Sequence, residues 1–368
     1  MRLLALTSIL SLLLCLQLGC SAEHIRFRTR NGSSLKDRPS GLLMDANNTP
    51  FLIELIERPD GSLDFVRQIS GRIVQKETCR AEYHKLYSTN HFIVVEGQIG
   101  KAEAKYPIVL DTGASQPVFV KVGHVLDNRL PIYPLENNKA GLNGHGLGLC
   151  YLPELQIGNV TFADWPSFYL EQSGRRGLFG LAVTSNGSDD NTVIVGLPVL
   201  REFRYIVFDS ISKQVIFSSN ESFEAKEPGL WEKFPFSIEE DFHRNAFLLV
   251  EVSVAGEAIE LQLDTGSGRG LAIGEQLWES LRQRMPDVKL NRGRELYPYI
   301  GLLPCRRGEI AELRIGQRAV RNAQISVFAN DSPLLQGCQG LLGMQCFQNA
   351  VMVLDFERNL MWVSSSQP

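Results

Sequence analysis

One short motif occurs twice in this chain and carries its most reactive side chains. Leu110-Asp111-Thr112-Gly113 is followed 153 residues later by Leu263-Asp264-Thr265-Gly266. In each copy a carboxylate leaves an apolar stretch and enters a Thr-Gly turn, which is a costly place for a charge. Two such turns facing each other would bring two carboxyl groups into contact, where both cannot easily ionise. One proton shared between them would leave a general base beside a general acid.

The two halves of the chain resemble each other well beyond this motif. An apolar run, a turn with Gly and a returning apolar run precede each Asp, which predicts β-hairpins over residues 92–111 and 247–264. A Glu-Leu-x-Ile-Gly segment follows at residues 154–158 and again at 312–316, and an apolar stretch ends at Gly196 and again at Gly343. These elements recur in one order at offsets of 153, 158 and 147 residues, so the chain contains two copies of a whole lobe.

These residues resemble the aspartic proteases. Both Asp-Thr-Gly copies match the active-site motif of that family, and the stretches ending at Gly196 and Gly343 are similar to the element that packs beside each catalytic loop. The resemblance covers residues 90–368 and implies an all-β, bilobal acid-protease fold, with two homologous β-barrel-like lobes, a cleft between them and a few short helices. The short, near-equal lobes are closer to retropepsin-like proteins than to pepsin. A retropepsin is assembled from two identical chains, whereas this chain carries both halves, so a monomer is expected.

The resemblance implies an aspartic endopeptidase in which Asp111 and Asp264 hold a water molecule between them. One carboxylate would take a proton from the water while the other, protonated, polarises the scissile carbonyl. The expected partner is a peptide or protein substrate, and no cofactor, metal ion or covalent nucleophile is required. The alternative is a catalytically silent binding protein of the same fold, at the cell envelope or outside the cell. Such relatives typically lose one Asp or the Gly beside it, and both are intact here.

The residues after each Asp are expected to support the catalytic loops. In the family, the Thr hydroxyl groups bond across the lobe interface, and the Gly residues let backbone N–H groups approach the carboxylates. Ser267 can donate a hydrogen bond to an Asp oxygen, whereas Ala114 at the equivalent position cannot. This difference predicts a raised pKa for the pair and activity nearer neutral pH than in gastric-type enzymes. The supporting residues are Thr112, Gly113, Thr265, Gly266 and Ser267.

A glycine-rich segment of the first lobe has the composition of a mobile flap over the substrate. Gly144, His145 and Gly146 form its centre, and residues 297–301 occupy the matching interval of the second lobe. Ordinary hairpin loops are an equally good interpretation of both segments.

The composition excludes several other classes of function. The chain has 368 residues, a formal charge of −4 at pH 7 and no basic patch or stripe, so nucleic acid is not an expected partner. The seven cysteines lack metal-ligand spacing, and the six His form no recognisable dyad with a Cys, which argues against a metal site and a thiol protease. Without Cys15 and Cys20, the remaining five cysteines allow two disulfides with one thiol left over.

The N-terminal residues predict export. Residues 1–22 combine Met1-Arg2 with a short apolar run and small residues, as a signal peptide does. Leu16-Gln17-Leu18-Gly19-Cys20 resembles a bacterial lipoprotein signal, in which a lipid on Cys20 would be the only membrane anchor. Ordinary cleavage after Ala22 is the alternative. In either case the protein would be secreted or held in the periplasm or cell envelope.

The rest of the chain divides into an extension and two lobes. Residues 23–88 are interpreted either as a propeptide covering the cleft or as extra strands on the first lobe. Residues 89–232 and 233–368 form the two lobes, and a polar, turn-rich linker is predicted at residues 218–242. Leu277, Leu281 and Met285 at helical spacing predict a short helix over residues 274–285, with Trp278 in the core.

Overall fold

The computed structural model describes residues 40–44, 50–57, 63–66, 71–84, 93–100, 103–130, 132–133, 141–142, 145–170, 177–178, 181–182, 192–240, 245–297, 300–335 and 337–364. The predicted signal peptide at residues 1–22, including Cys20, lies outside the described residues. Within those ranges, no helix combines the length and the apolar character needed to cross a membrane.

The first half of the chain consists mainly of strands. Two short helices occur among them, α1 (Val122–Asp127) and α2 (Leu197–Leu200). The strands are β1 (Ser40–Met44), β2 (Pro50–Glu57), β3 (Leu63–Val66), β4 (Arg72–Val74), β5 (Cys79–His84), β6 (Val94–Ile99), β7 (Lys105–Asp111), β8 (Val118–Lys121), β9 (Ile132–Tyr133), β10 (Gly141–Leu142), β11 (His145–Ile157), β12 (Val160–Leu170), β13 (Gly177–Leu178), β14 (Leu181–Ala182), β15 (Val193–Gly196), β16 (Tyr205–Asp209) and β17 (Gln214–Ser218).

The second half repeats this pattern with one longer helix, α3 (Glu275–Leu281). Short 3-10 segments occur at Pro228–Leu230, Arg282–Arg284, Pro333–Leu335 and Met344–Phe347. The strands are β18 (Glu232–Glu240), β19 (Ala246–Val254), β20 (Glu257–Asp264), β21 (Leu271–Gly274), β22 (Asn291–Tyr297), β23 (Gly301–Ile315), β24 (Arg318–Phe328), β25 (Gly340–Gly343), β26 (Val351–Asp355) and β27 (Leu360–Ser364).

The two predicted hairpins are confirmed, and each delivers its Asp at the end of the returning strand. β6 pairs with β7 and β19 pairs with β20, both antiparallel. The three residues before each Asp are buried, and each Asp-bearing strand has a neighbour on both edges. β7 lies between β6 and β15, and β20 lies between β19 and β25.

The same pairing scheme surrounds both Asp-bearing strands. β15 runs parallel to β7 and antiparallel to β8, and β25 runs parallel to β20 and antiparallel to β21. The register places Gly196 opposite Asp111 and Gly343 opposite Asp264. The apolar stretches ending in these two Gly residues therefore pack beside the Asp loops, as the sequence predicted. The predicted all-β architecture of two similar lobes with a few short helices is confirmed.

One antiparallel sheet joins the two lobes. Its strand order is β5-β17-β16-β26-β27-β18. The central pair consists of equivalent strands of the two lobes, with Val207 of β16 opposite Val353 of β26. Because hydrogen-bonded strands continue from one lobe into the other, the lobes are held as a single unit.

Strands also occur within the predicted N-terminal extension. β1, β2 and β3 form a separate antiparallel sheet. β4 pairs with β12, and β5 pairs with β17 and β6, so these two strands are integrated into the body of the first lobe.

The structure corrects the length of the predicted linker and confirms the predicted helix. Residues Glu232–Glu240 form β18, in which Phe234 and Phe236 are buried and the residues beside them are more exposed. The polar residues that suggested a linker are the outward face of this strand. α3 and the following 3-10 turn occupy residues 275–284, and Trp278 is buried.

Candidate active site

Asp111 and Asp264 meet where the two lobes touch. A Cβ at Gly113 would lie 2.6 Å from Cγ of Asp264, and a Cβ at Gly266 would overlap the Asp111 carboxyl group. Each Asp therefore packs against the Gly of the opposite loop. The two carboxyl groups are also within hydrogen-bonding reach of each other. The structure thus brings together the two carboxylates that the sequence singled out.

Two Thr residues connect the loops across the lobe interface. The Thr112 backbone N–H donates to Thr265 Oγ1 (2.9 Å), and the Thr265 N–H donates to Thr112 Oγ1 (3.0 Å). Each hydroxyl in turn donates to a carbonyl of the opposite strand, Thr112 to Leu263 O (2.6 Å) and Thr265 to Leu110 O (2.7 Å). Both Thr side chains are fully buried. The four reciprocal hydrogen bonds fix the separation of the Asp loops.

Backbone N–H groups turn toward the carboxylates. Asp111 Oδ1 accepts hydrogen bonds from the N–H groups of Gly113 (2.8 Å) and Ala114 (3.1 Å). The N–H groups of Gly266 and Ser267 lie close enough to the Asp264 carboxyl group to lower its pKa, against the effect of burial. Such donors stabilise a negative charge, so the tight Thr-Gly turns explain how two carboxyl groups are tolerated in a buried site.

Burial raises the pKa of both carboxyl groups above the usual aspartate value. The pKa of Asp264 is raised well above that value, first by burial and then by the nearby charge of Asp111. The pKa of Asp111 is also raised by burial, against the opposing effect of its hydrogen bonds. The pair titrates as a unit and retains one proton at a pH where an isolated Asp would have lost it.

The Ser267 side chain lies in a different place from the one expected. Within the described part of the chain, its Oγ makes no hydrogen bond, and neither does Asp264 Oδ1. The hydroxyl instead lies over Gly343 and beside the Tyr297 hydroxyl. Ser267 therefore supports the loop through its backbone N–H, because its side chain fills the space between the loop and β25. Burial raises the pKa of Tyr297, so its hydroxyl stays protonated.

The predicted flap segment is only partly described. Gly144 lies outside the described residues, whereas His145 and Gly146 begin β11 and pair with Leu142 and Gly141 of β10. These pairs form a hairpin in the first lobe. In the second lobe, β22 and β23 form a hairpin at the matching place, with Tyr297 opposite Gly301.

The cysteines in the described ranges are buried or half-buried. The five cysteines described are free thiols. Burial raises the pKa of Cys305 to about 11 and those of Cys338 and Cys346 to about 12, so these thiols are protonated near neutral pH. No group of three His, Cys, Asp or Glu side chains in this part of the chain is arranged to hold a metal ion.

Two features of the site were not found by sequence reasoning. Gln262 is buried, and its Nε2 donates to Gly113 O of the other lobe (3.3 Å). Glu295 is buried beside the second loop and pairs with Arg269. The alternation along β22 could have placed Glu295 on the inner face with Tyr297. No sequence signal identifies a partner on another element, because that contact depends on how the elements pack.

Gly266→Ala is expected to lower kcat/KM about 100-fold or more, because the added Cβ would displace the Asp111 carboxyl group. Displacing a reacting group by about 1 Å can lower the rate by this factor. Peptide cleavage kinetics measure the effect. Gly123→Ala in α1 is the matched control, since a Cβ there meets nothing within 4 Å. Unchanged kinetics in Gly266→Ala would mean that the loops do not pack as described.

No protein-family model matches the chain, and no curated protein matches it. Among solved structures, the chain is similar to an aspartic proteinase from Irpex lacteus, with 10% sequence identity and a TM-score of 0.45. The match covers 79% of this chain and 98% of that chain. Such a distant likeness says nothing about activity, so a function has to be derived from the geometry of the site.

Proposed function

We propose that this chain is an aspartic endopeptidase that hydrolyses peptide bonds with a water molecule activated by Asp111 and Asp264. The observation that carries the proposal is the meeting of two carboxyl groups at the lobe interface, Asp264 buried and Asp111 half-buried, each packed against the Gly of the opposite loop. The cross-lobe Thr hydrogen bonds support it, because they hold the two groups at one separation. Two carboxyl groups in contact would be a costly arrangement in a purely structural role, because both cannot easily ionise.

The two carboxyl groups have different roles in this mechanism. Asp111 Oδ1 accepts hydrogen bonds from the Gly113 and Ala114 N–H groups, which stabilise a negative charge there, so we assign the charge to Asp111 and the shared proton to Asp264. Asp111 is therefore the general base toward water, and Asp264 is the general acid toward the scissile carbonyl oxygen.

The reaction then balances without another reactant. Asp111 takes a proton from water as the water oxygen bonds to the carbonyl carbon, and Asp264 gives its proton to the carbonyl oxygen. In the resulting tetrahedral diol, the proton on Asp111 passes to the amide nitrogen and the C–N bond breaks. One diol hydroxyl returns its proton to Asp264, which leaves a carboxylic acid, an amine and the original state of the pair.

The pH dependence follows from the raised pKa values. Activity requires one proton on the pair, so it falls on the alkaline side as Asp264 ionises and on the acid side as Asp111 is protonated. Because both pKa values are raised, both limbs of the kcat/KM profile are expected at higher pH than for ordinary aspartates, which have pKa values of about 3.9. A pH–rate profile measured with one peptide checks this. An optimum below about pH 3 would contradict it.

The proposal is tested by incubating the purified chain with a mixed peptide library across about pH 3 to 8 and identifying products by mass spectrometry. Cleavage within peptides by the wild type supports an endopeptidase. Asp287→Asn, which changes an exposed carboxylate of the same lobe, is the control and should cut as the wild type does. A wild type that is silent at every pH would favour the binding protein over the enzyme.

A further inference from the structure

A second group of charged side chains lies beside the Asp264 loop, and the proposed mechanism does not use it. Glu295 of β22 is 2% exposed. Its Oε2 is 2.5 Å from Nε of Arg269, and its Oε1 is 3.7 Å from Nη1 of Arg307 on β23. Ser326 of β24 donates a hydrogen bond to Oε1 (3.0 Å). One buried carboxylate is thus held by groups from the active-site loop and two further strands.

The strand next to Arg307 is shaped to let its side chain reach this carboxylate. A Cβ at Gly293 would overlap Nε of Arg307 and would lie 3.1 Å from its Cγ and Cδ. The backbone of Gly293 is not in the left-handed region, so what the missing side chain provides is space. The Arg307 side chain therefore lies across β22 and points toward Glu295. Its contacts with β22 and Glu295 fix its position.

The group has more positive than negative charge. Two guanidinium groups share one carboxylate, and the guanidinium side chains are partly exposed (27% for Arg269 and 44% for Arg307) while Glu295 is not. The nearby acid Glu275 pairs with Arg306 instead. Tyr297, on the same face of β22, stays neutral because burial raises its pKa. The accessible side of the group is therefore cationic, with guanidinium N–H donors left over for a ligand.

The position of the group relates it to the carboxyl pair. Arg269 lies in the loop between β20 and β21, five residues after Asp264. The β25 register places Gly343 beside Asp264, and a Cβ at Gly343 would overlap the Arg269 carbonyl oxygen. Because an extended peptide advances about 3.3 Å per residue, a substrate residue a few positions from the scissile bond is the candidate occupant of a site this close to Asp264 in the chain.

We propose that Arg269 and Arg307, held by Glu295, form a subsite that binds a carboxylate of the peptide substrate. The inference rests on the proposed peptidase function and adds its substrate class, namely peptides with Asp or Glu near the cleaved bond. Arginine binds carboxylates through paired N–H donors, and such charge-assisted bonds are stronger than neutral ones. We name Arg269, Glu295 and Arg307 together the Arg-Glu-Arg cluster.

The test compares matched peptides that differ only by Glu or Gln at each position around the scissile bond. The wild type is expected to cleave the Glu peptide with about tenfold higher kcat/KM at one position, as fits one charge-assisted contact. Arg269→Gln and Arg307→Gln should each remove most of this preference and change kcat/KM for the Gln peptide much less. With a third matched peptide that carries Lys at that position, Arg307→Glu should reverse the preference in favour of Lys.

Two controls accompany this test. A control variant shows whether the loss of preference is specific to the two arginines, and a second peptide pair shows whether the subsite binds a side chain or the peptide terminus. Arg294→Gln is the matched control, because Arg294 is exposed on the opposite face of β22, and it should keep the preference. Gln peptides with free and amidated C-termini show whether a terminal carboxylate, rather than a side chain, occupies the subsite. Equal cleavage of Glu and Gln peptides at every position by the wild type would overturn the proposal. So would arginine variants that slow all peptides equally, because that pattern indicates a structural role.

A direct binding measurement separates failure of the subsite from failure of the peptidase. Labelled Glu and Gln peptides are titrated with the wild-type chain, and their affinities are compared by fluorescence anisotropy. If no peptide is cleaved but the Glu peptide binds about tenfold more tightly, the peptidase proposal fails and the subsite stands. If the two peptides bind equally, the subsite is refuted whether or not cleavage occurs.

Discussion

Asp111→Asn and Asp264→Asn are each expected to lower kcat/KM by about 10⁴-fold, with the fold retained. An amide has nearly the shape of the carboxyl group but cannot act as the general base or the general acid of the mechanism. Either substitution therefore leaves the water without a base or the carbonyl without its acid. Hydrolysis of the best library peptide, followed for wild type and both variants at the pH optimum, measures the loss.

The same variants should not be less stable, and this separates lost chemistry from lost folding. The folded-state pKa of Asp264 is raised well above its unfolded value, so its protonation favours the folded state. This contribution is fully present below the unfolded pKa and is lost as the pH rises through the folded pKa. An Asn at this position cannot ionise and keeps it.

The melting temperature of Asp264→Asn, relative to wild type, is therefore expected to rise with pH across that interval. Thermal unfolding at several pH values measures it, and Asp287→Asn should show no such trend because its carboxylate is exposed. An Asp264→Asn protein that cuts peptides normally would end the proposed mechanism. One that melts below wild type at every pH would show that the carboxyl group is structural.

Thr265→Val is expected to lower the free energy of unfolding by about 2–6 kcal/mol, which would be the largest stability effect of any substitution in the site. Valine keeps the shape of threonine but leaves the Thr112 N–H and the Leu110 carbonyl without their cross-lobe partner. Both groups are buried, and each unpaired buried polar group costs about 1–3 kcal/mol. Urea unfolding of wild type and variant measures the difference.

Thr265→Ser is the matched control, because it removes a methyl group and retains the hydroxyl. It should be much closer to wild type than Thr265→Val. Thr112→Val should behave like Thr265→Val, and the double variant should cost less than the sum, since the two residues share their hydrogen bonds. Equal stability of the Val and Ser variants would show that the cross-lobe bonds contribute little.

Some local structure also followed from sequence pattern alone. The period of Leu277, Leu281 and Met285 predicted α3, and the repeated apolar runs predicted the two hairpins that end in Asp111 and Asp264. These elements bury a face that their own residues define, so the pattern is visible without knowledge of the partner. The polar stretch that contains β18 was wrongly predicted to be a linker. Its buried Phe234 and Phe236 are flanked by exposed residues, and one of its two partner strands, β27, is distant in sequence.

The contacts inside the site depended on the packing of the two lobes. The sequence predicted that the Ser267 hydroxyl donates a hydrogen bond to an Asp oxygen. In the structure this hydroxyl lies over Gly343 and beside Tyr297. The cross-lobe contact of Gln262 and the meeting of Arg269, Arg307 and Glu295 joined residues from different elements. No periodicity or motif in the sequence predicts these contacts. Each one depends on which elements pack together in the folded chain.

The sequence by itself determined the duplication, the two Asp residues and the strands that carry them. Those features are local or repeated, and backbone sterics and apolar periodicity suffice to establish them. Only the tertiary structure decided that the carboxyl groups meet, that burial raises the pKa of both, and that the Arg-Glu-Arg cluster lies beside the second. Distances and burial set these properties, and both arise when residues far apart in the chain are packed together.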